Sequence, residues 1–223
     1  MRDLHRHLVL PVAVAIVAGC GGHVAKTSTR AVIVPSTSAT PPGMVVHRVA
    51  AQRFSIALPQ RWRIVDATSL ARDPRLKKLA AENPQFANEL LDLARPGSPL
   101  KLLAVDPHEA GGYRTTMNVT TQRVSTDLTM AALKKELGRT LAARDAIDPV
   151  LVELGFPDGP AVWAAFRLRV HARQLQNVVT ADDLFASKHG STVYYLTYIS
   201  SPRLEPRLQK TFTDSARTFR VGG

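Results

Sequence analysis

A row of cationic and aromatic side chains carries the clearest chemistry in this sequence. From Ala161 to Ala172, apolar and polar residues alternate strictly, which is typical of a strand with one buried and one exposed face. The predicted exposed face carries residues about 7 Å apart along the strand, namely Trp163, Arg167, Arg169, His171 and Arg173. Guanidinium forks bind oxyanions and an indole face stacks on sugar rings, so the row predicts a site for carboxylates, phosphates or sugars. The alternative is a solvated sheet face whose charges discourage strand addition.

Other reactive side chains are scattered. The segment Asp106-Pro107-His108-Glu109, in a predicted loop, has metal-capable groups but no convergent distant set, so we predict no metal site there. Adjacent strand residues face opposite ways, which argues against Asp182 and Asp183 as an acid–base pair and favours a turn or a solvated edge. No G-x-S-x-G elbow occurs, and three histidines lack an identifiable nucleophile partner: His47, His171 and His189. We therefore expect a protein without catalytic residues, metal or cofactor.

The only cysteine lies in a different chemical setting. A short apolar run begins at Leu8, follows a cationic start and ends in Val17-Ala18-Gly19-Cys20, which is the pattern of an export signal. The tetrad resembles the lipobox of bacterial lipoprotein signal peptides. That resemblance implies cleavage before Cys20 and acylation of its thiol. The expected location is then the extracytoplasmic face of the cell membrane, held by the lipid.

Acylation of Cys20 and the charge balance exclude several classes of function. With its thiol acylated, the mature chain has none left for a disulfide, a zinc site or a cysteine nucleophile. The net charge of +11 favours anionic partners, which outside the membrane are lipid headgroups, polysaccharides or acidic proteins. Nucleic acid is not expected as a partner, because export would separate this protein from it. An arginine-rich composition without a specific partner is the alternative, and the oligomeric state is left open.

Three regions follow along the chain. Residues 1–19 form the predicted signal peptide. Residues 20–43 comprise the lipidated cysteine and a tether rich in Ser, Thr and Pro, and residues 44–223 form one α+β domain. The domain opens with two short strands, the second with Phe54, Ile56 and Leu58 on one face, and Trp62 is expected to cap that end of the core.

Helices and further strands complete the predicted domain. Asp73-Pro74 and Asn83-Pro84 are helix-start signals, and a helix starting near residues 125–127 repeats apolar residues every three or four positions. Lys101–Val105 and Thr115–Val124 read as strands, with a loop over Asp106–Gly112 between them. A hairpin around Pro157-Asp158-Gly159, two more strands, and a helix after Pro202 close the chain. The order predicts an antiparallel sheet with helices packed on it.

The ends of this domain resemble a known fold family. Phe54-Ser55-Ile56-Ala57-Leu58-Pro59 followed by Gln60-Arg61-Trp62 is similar to the F-x-I-x-x-P-x-x-W opening of the PsbP-like fold, and residues 193–198 with 215–220 resemble its closing strand and helix. Together with the lipobox, this resembles actinobacterial lipoproteins of LpqN type. The resemblance implies a non-catalytic binding or accessory module for an envelope or host protein or an anionic envelope component. A lipid or glycolipid carrier and an envelope hydrolase are the alternatives.

Overall fold

The computed structural model describes residues 40–65, 97–110, 113–172 and 175–222. Within them the chain forms ten strands and two α-helices, with a 3-10 turn over Ala50–Gln52. Their bounds are β1 (Met44–Val49), β2 (Phe54–Pro59), β3 (Arg63–Val65), β4 (Leu100–Ala110), β5 (Tyr113–Arg123), α1 (Met130–Ala143), β6 (Ile147–Phe156), β7 (Gly159–Ala172), β8 (Leu175–His189), β9 (Thr192–Ser200), α2 (Glu205–Arg217) and β10 (Arg220–Val221). The predicted signal peptide, Cys20, most of the tether and the helix starts at Asp73-Pro74 and Asn83-Pro84 lie outside the described residues.

The strands make two antiparallel sheets. Seven strands follow the order β3-β4-β5-β9-β8-β7-β6, and three follow the order β1-β2-β10. Every described pair is antiparallel. With α1 and α2 packed on these sheets, the predicted α+β class with an antiparallel sheet is confirmed. No helix among the described residues is long and apolar enough to cross a membrane.

The hairpin of β6 and β7 follows the predicted turn. Phe156 pairs with Gly159 across the two-residue connection Pro157-Asp158, and Gly159 has a φ of 117°, which only glycine adopts readily. Even-numbered residues of β7 are then buried from Val162 to Leu168. The predicted alternation on this strand is confirmed for the buried face.

One sheet face is covered by α1. Its predicted apolar positions Leu133, Leu137 and Leu141 are at most 1% exposed and pack on the even side of β7 and the matching residues of β8 and β9. The helix starts later than predicted, because the Oγ1 of Thr129 accepts the Ala132 N–H at 3.2 Å and so caps a helix that begins at Met130. The result is a helix laid on the sheet, as the pattern predicted.

The opposite sheet face is covered by the small sheet and α2. Phe54, Ile56 and Leu58 of β2 are buried together with Trp62 and Phe212, so the predicted inner face of β2 and the position of Trp62 are confirmed. Beyond the two residues of β10, the side chains of Ser215 in α2 and of Thr218, which caps that helix, complete the bonding of β2. The Oγ of Ser215 donates to the carbonyl of Ala57 at 2.6 Å, and the Ala57 N–H donates to the Oγ1 of Thr218 at 2.7 Å.

Two predictions about β4 and its surroundings need correction. The predicted loop over Asp106–Gly112 is instead strand as far as Ala110, with a register shift between Val105 and Glu109. Such a bulge accommodates Pro107, which lacks an N–H for the ladder. Two short strands, β3 and β10, were not predicted at all, because three and two residues are too few to show a period.

Candidate functional site

The odd-numbered side of β7 faces the layer formed by α2 and the small sheet, but that layer covers only part of it. Trp163 is half-buried and packs against the core that lies between this sheet face and the α2 layer, whereas Arg167 and Arg169 are exposed. The expectation of a wholly wet face is therefore wrong at Trp163. His171 lies within β7 but its side chain, like Arg173, lies outside the described residues, so their roles stay predictions.

The indole of Trp163 is fixed by a buried carboxylate. Its Nε1–H donates to the Oδ1 of Asp183 at 2.8 Å across the β7–β8 pair. Asp183 is 1% exposed, and no described group bonds its buried Oδ2. Burial raises the pKa of Asp183 to about 6, against the Trp163 hydrogen bond and with a further increase from the charge of Glu205 at the start of α2. The indole is thus held in one orientation at the half-buried end of the row, whose next described members, Arg167 and Arg169, are exposed.

Arg167 and Arg169 form what we call the arginine ridge. Their direct neighbours in β6 and β8 are apolar: Ile147 and Ala181 flank Arg167, and Val179 flanks Arg169. Among the described residues neither guanidinium has an ion-pair partner. Two exposed arginines at alternate positions of one strand, with Cα atoms about 7 Å apart, can hold two oxyanions or one extended anionic chain.

The paired acids are buried in the sheet rather than placed in a turn. Asp182 and Asp183 lie in the middle of β8, which has a neighbour on each side, and each is 1% exposed. The predicted turn or solvated edge is wrong, although the prediction that the two carboxyls face opposite ways is confirmed by their separate partners. Asp182 accepts from the Oγ1 of Thr180 at 2.8 Å, and its Oδ1 has no described partner. Burial is the main cause that raises the pKa of Asp182 to about 7.

Asp106 organises a second charged cluster at the other end of the large sheet. Its Oδ2 is 2.9 Å from a guanidinium nitrogen of Arg61, and its Oδ1 accepts the backbone N–H of His108 at 3.0 Å and lies 3.1 Å from the Nδ1 of that ring. Within the described residues no three His, Cys, Asp or Glu side chains lie together in a group that could hold a metal ion.

One histidine has a hydroxyl partner that the sequence did not reveal. The Oγ of Ser187 lies 3.0 Å from the Nε2 of His189, so the expectation that this histidine has none is wrong. Ser187 is 4% exposed, and the His189 ring packs edge-on against Tyr194 and Phe219. Burial lowers the pKa of His189, and the charge of the nearby Asp158 carboxylate acts in the opposite direction. That carboxylate accepts the Val221 N–H at 3.0 Å. This geometry fixes the end of the β8–β9 hairpin and leaves no room for a substrate at the hydroxyl.

A groove of about 610 Å³ lies where β1 begins and β2 ends. Arg61, Trp62, Leu208 and Thr211 form part of its lining, together with Pro42–Met44 and Pro59–Gln60. Sequence analysis missed this groove because its walls come from segments about 150 residues apart. It is open to solvent, and its walls combine apolar side chains such as Trp62 and Leu208 with the polar side chains of Gln60, Arg61 and Thr211. It is therefore not the enclosed apolar cavity that a lipid carrier would need.

Comparisons with known proteins find similarity of fold only. No protein-family model matches the sequence, and no curated protein matches it. Among solved structures, cyanobacterial PsbP (CyanoP) from Synechocystis is 13% identical with a TM-score of 0.49, covering 84% of this chain and 98% of its own. The Ran-binding protein Mog1p from Saccharomyces cerevisiae is 7% identical (TM-score 0.48; 80% and 95% covered), and PA94 from Pseudomonas aeruginosa is 9% identical (TM-score 0.44; 78% and 94% covered). At these values the similarities carry no argument about activity or partners.

Proposed function

We propose that this protein is an acylated envelope lipoprotein whose domain binds an anionic partner through the arginine ridge without chemical conversion. The observation that carries the proposal is the ridge itself: Arg167 and Arg169 are exposed, lie on β7, which has a paired strand on each side, and have no ion-pair partner among the described residues. Arginines held on regular strands bind carboxylates or phosphates with little loss of conformational freedom.

The surroundings of the ridge support binding rather than catalysis. The two carboxyls with raised pKa, Asp182 and Asp183, are each 1% exposed and therefore out of reach of a substrate. Trp163, at the inner end of the row, uses its only donor on Asp183, so its contribution to a ligand is limited to the indole face. A surface of this kind recognises charge and shape.

The arginine ridge leads to a prediction in cells. In-cell crosslinking, pull-down and mass spectrometry of proteins and lipids should show that Arg167→Glu/Arg169→Glu loses one defined partner by at least about tenfold, since two charge-assisted contacts become repulsions. The matched control is Lys135→Glu/Arg139→Glu, which changes net charge equally on the exposed side of α1. An unchanged partner set in the ridge variant, or equal losses in both variants, would rule out the ridge as the binding surface.

The lipid anchor leads to a separate prediction. Cys20→Ser removes the acylated thiol, so the protein should leave the membrane fraction almost completely, since stable anchoring needs the acyl chains. Fractionation and the intact mass of the mature protein measure this directly, and Ser28→Ala in the tether is the control. Wild-type protein that lacks a lipid mass at Cys20, or a Cys20→Ser variant that stays in the membrane, would contradict the anchor.

A further inference from the structure

The outer strand of the small sheet differs from the other sheet edges in the described part of the chain. An exposed edge presents unpaired N–H and C=O groups, and proteins protect such edges by shortness, proline, bulges or charge. The edge strands β3 and β10 have only three and two residues. The edge strand β6 has a bulge between Ile147 and Val150, contains Pro149, and carries Asp148 and Glu153.

β1 has none of these protections apart from one arginine. It is six residues long, contains no proline, and pairs without a register shift along its whole length with β2. Val45 and Val46 are 42% and 47% exposed, and among the described residues Val150 is the other large hydrophobic side chain that is exposed. A long, flat and apolar edge of this kind is a template for pairing with another strand.

The register determines which backbone groups of β1 are available. The Gln60 N–H donates to the Gly43 carbonyl at 2.9 Å, one position before the Met44–Pro59 pair. In an antiparallel pair the bonded positions alternate, so Val45 and His47 bond towards β2. The N–H and C=O groups of Val46 and Arg48 therefore point away from β2, and among the described strands β1 has β2 as its single neighbour.

Charge near this edge indicates the chemistry of its occupant. Residues 40–65 include no aspartate or glutamate, and Arg48 and Arg53 are exposed without an ion-pair partner among the described residues. A second copy of β1 would bring these cations together, which is unfavourable, whereas an acidic segment would neutralise them. The groove beside Trp62 begins at Met44 and continues the edge, so it can receive a side chain flanking an added strand.

We propose that the outer edge of β1, unpaired among the described strands, binds an extended segment of another protein, apolar at its centre and acidic at one end, as an additional strand. Backbone bonds to Val46 and Arg48 provide the pairing and the two valines contact the apolar centre. Arg48 and Arg53, which both lie at the β1–β2 turn, contact the acidic end. This surface is separate from the arginine ridge, because β1 belongs to the three-stranded sheet and the ridge lies on β7 of the seven-stranded sheet.

The test uses the full acylated protein in detergent micelles and a fluorescent nonapeptide, EDVTVTVDE, as the probe. Fluorescence anisotropy should give saturable binding, at least about tenfold tighter than for KRVTVTVRK or for the proline-interrupted EDVPTPVDE, which has the same charge but cannot form a strand. Amide hydrogen exchange should slow at Val46 and Arg48 when the acidic probe binds and stay unchanged at Val45 and His47.

Two variants separate edge pairing from general charge attraction. Val46→Pro removes an N–H that β2 does not use, so binding of the acidic probe should fall about tenfold or more, while Val46→Thr keeps the N–H and should bind within about twofold of wild type. Arg48→Glu should reverse the preference between the acidic and basic probes, whereas Arg139→Glu on α1 should not. Arg48→Glu changes an exposed side chain, so it tests the proposal even if Val46→Pro does not fold.

Three results would overturn the proposal. The first is equal binding of the acidic probe to wild type and to a folded Val46→Pro variant. The second is loss of probe binding in Arg167→Glu/Arg169→Glu with the β1 variants unaffected, which would place the peptide on the arginine ridge. The third is a dimer in sedimentation velocity that Val46→Pro abolishes, which would make a second copy the occupant of the edge.

Discussion

Lowering the pH from 8 to 5 is expected to raise the free energy of unfolding by about 2–4 kcal/mol. Burial raises the pKa of Asp182 to about 7 and that of Asp183 to about 6, whereas an unfolded aspartate releases its proton near 3.8. At these two carboxyls the folded domain binds more protons than the unfolded chain, and this outweighs the smaller opposite effect of His47 and His189, whose pKa burial lowers. Its stability therefore increases as the pH falls through 7 and 6, which is opposite to the behaviour of aspartates in ion pairs.

Asp182→Asn should remove at least about half of this pH dependence, because the amide has the shape of the protonated acid and does not ionise. Urea unfolding at pH 5, 6, 7 and 8, followed by far-UV circular dichroism, measures the effect as a slope against pH. Asp183→Asn should reduce the slope by a smaller amount, and the exposed Asp127→Asn should keep the wild-type slope. Stability that falls between pH 8 and 5, or a wild-type slope in Asp182→Asn, would contradict the buried positions of these acids.

Ser215→Ala is expected to destabilise the domain by about 2–4 kcal/mol. The Ser215 hydroxyl accepts from the phenol of Tyr198 at 2.8 Å and donates to the Ala57 carbonyl at 2.6 Å, so one substitution leaves two buried groups without their bonds. Burial raises the pKa of Tyr198, which keeps its phenol protonated as a donor. The hydroxyl joins α2, β9 and β2, and its loss should weaken the attachment of the small sheet.

A double-mutant cycle with Tyr198→Phe isolates the shared bond. Because Tyr198→Phe removes the donor that Ser215→Ala leaves unpaired, the double variant should be more stable than the sum of the single effects predicts, by about 1 kcal/mol. Thr213→Ala on the same helix is the control and should change the free energy of unfolding by less than about 0.5 kcal/mol. Strict additivity of the two substitutions would show that the Tyr198–Ser215 bond contributes nothing.

The two ends of the predicted row on β7 have different environments: Trp163 is half-buried, and Arg167 and Arg169 are exposed. Trp163 shares its side of the strand with the arginines, and the sequence period correctly placed them together. Trp163 pairs directly with Phe185 of β8, which belongs to the core between this sheet face and the α2 layer, and Leu154 and Phe156 of β6 pack against the same core. The ridge at the other end stays exposed because no described element packs over it.

The sequence by itself determined the local structure of this domain. The alternation in β7, the three-to-four-residue repeat of Leu133, Leu137 and Leu141, the turn before Gly159 and the apolar face of β2 each follow from the geometry of a single element. These patterns were sufficient for the antiparallel α+β class and for placing Trp163, Arg167 and Arg169 on one face. Asp182 and Asp183 lie between the apolar pairs Val178-Val179 and Leu184-Phe185, and these strand-favouring residues on both sides are the signal that could have placed the two acids in a strand.

Only the tertiary structure decided which polar groups are buried and which edges are free. Residues far apart in the chain determine these properties: Asp183 is buried beneath α2 and Trp163, the Ser215 hydroxyl reaches Ala57 across 158 positions, and the groove beside β1 needs α2. Among the described strands, β1 keeps one edge unpaired because β10 pairs with the other side of β2. A local period cannot report such features, because it describes how a residue faces its own element and not what packs against it.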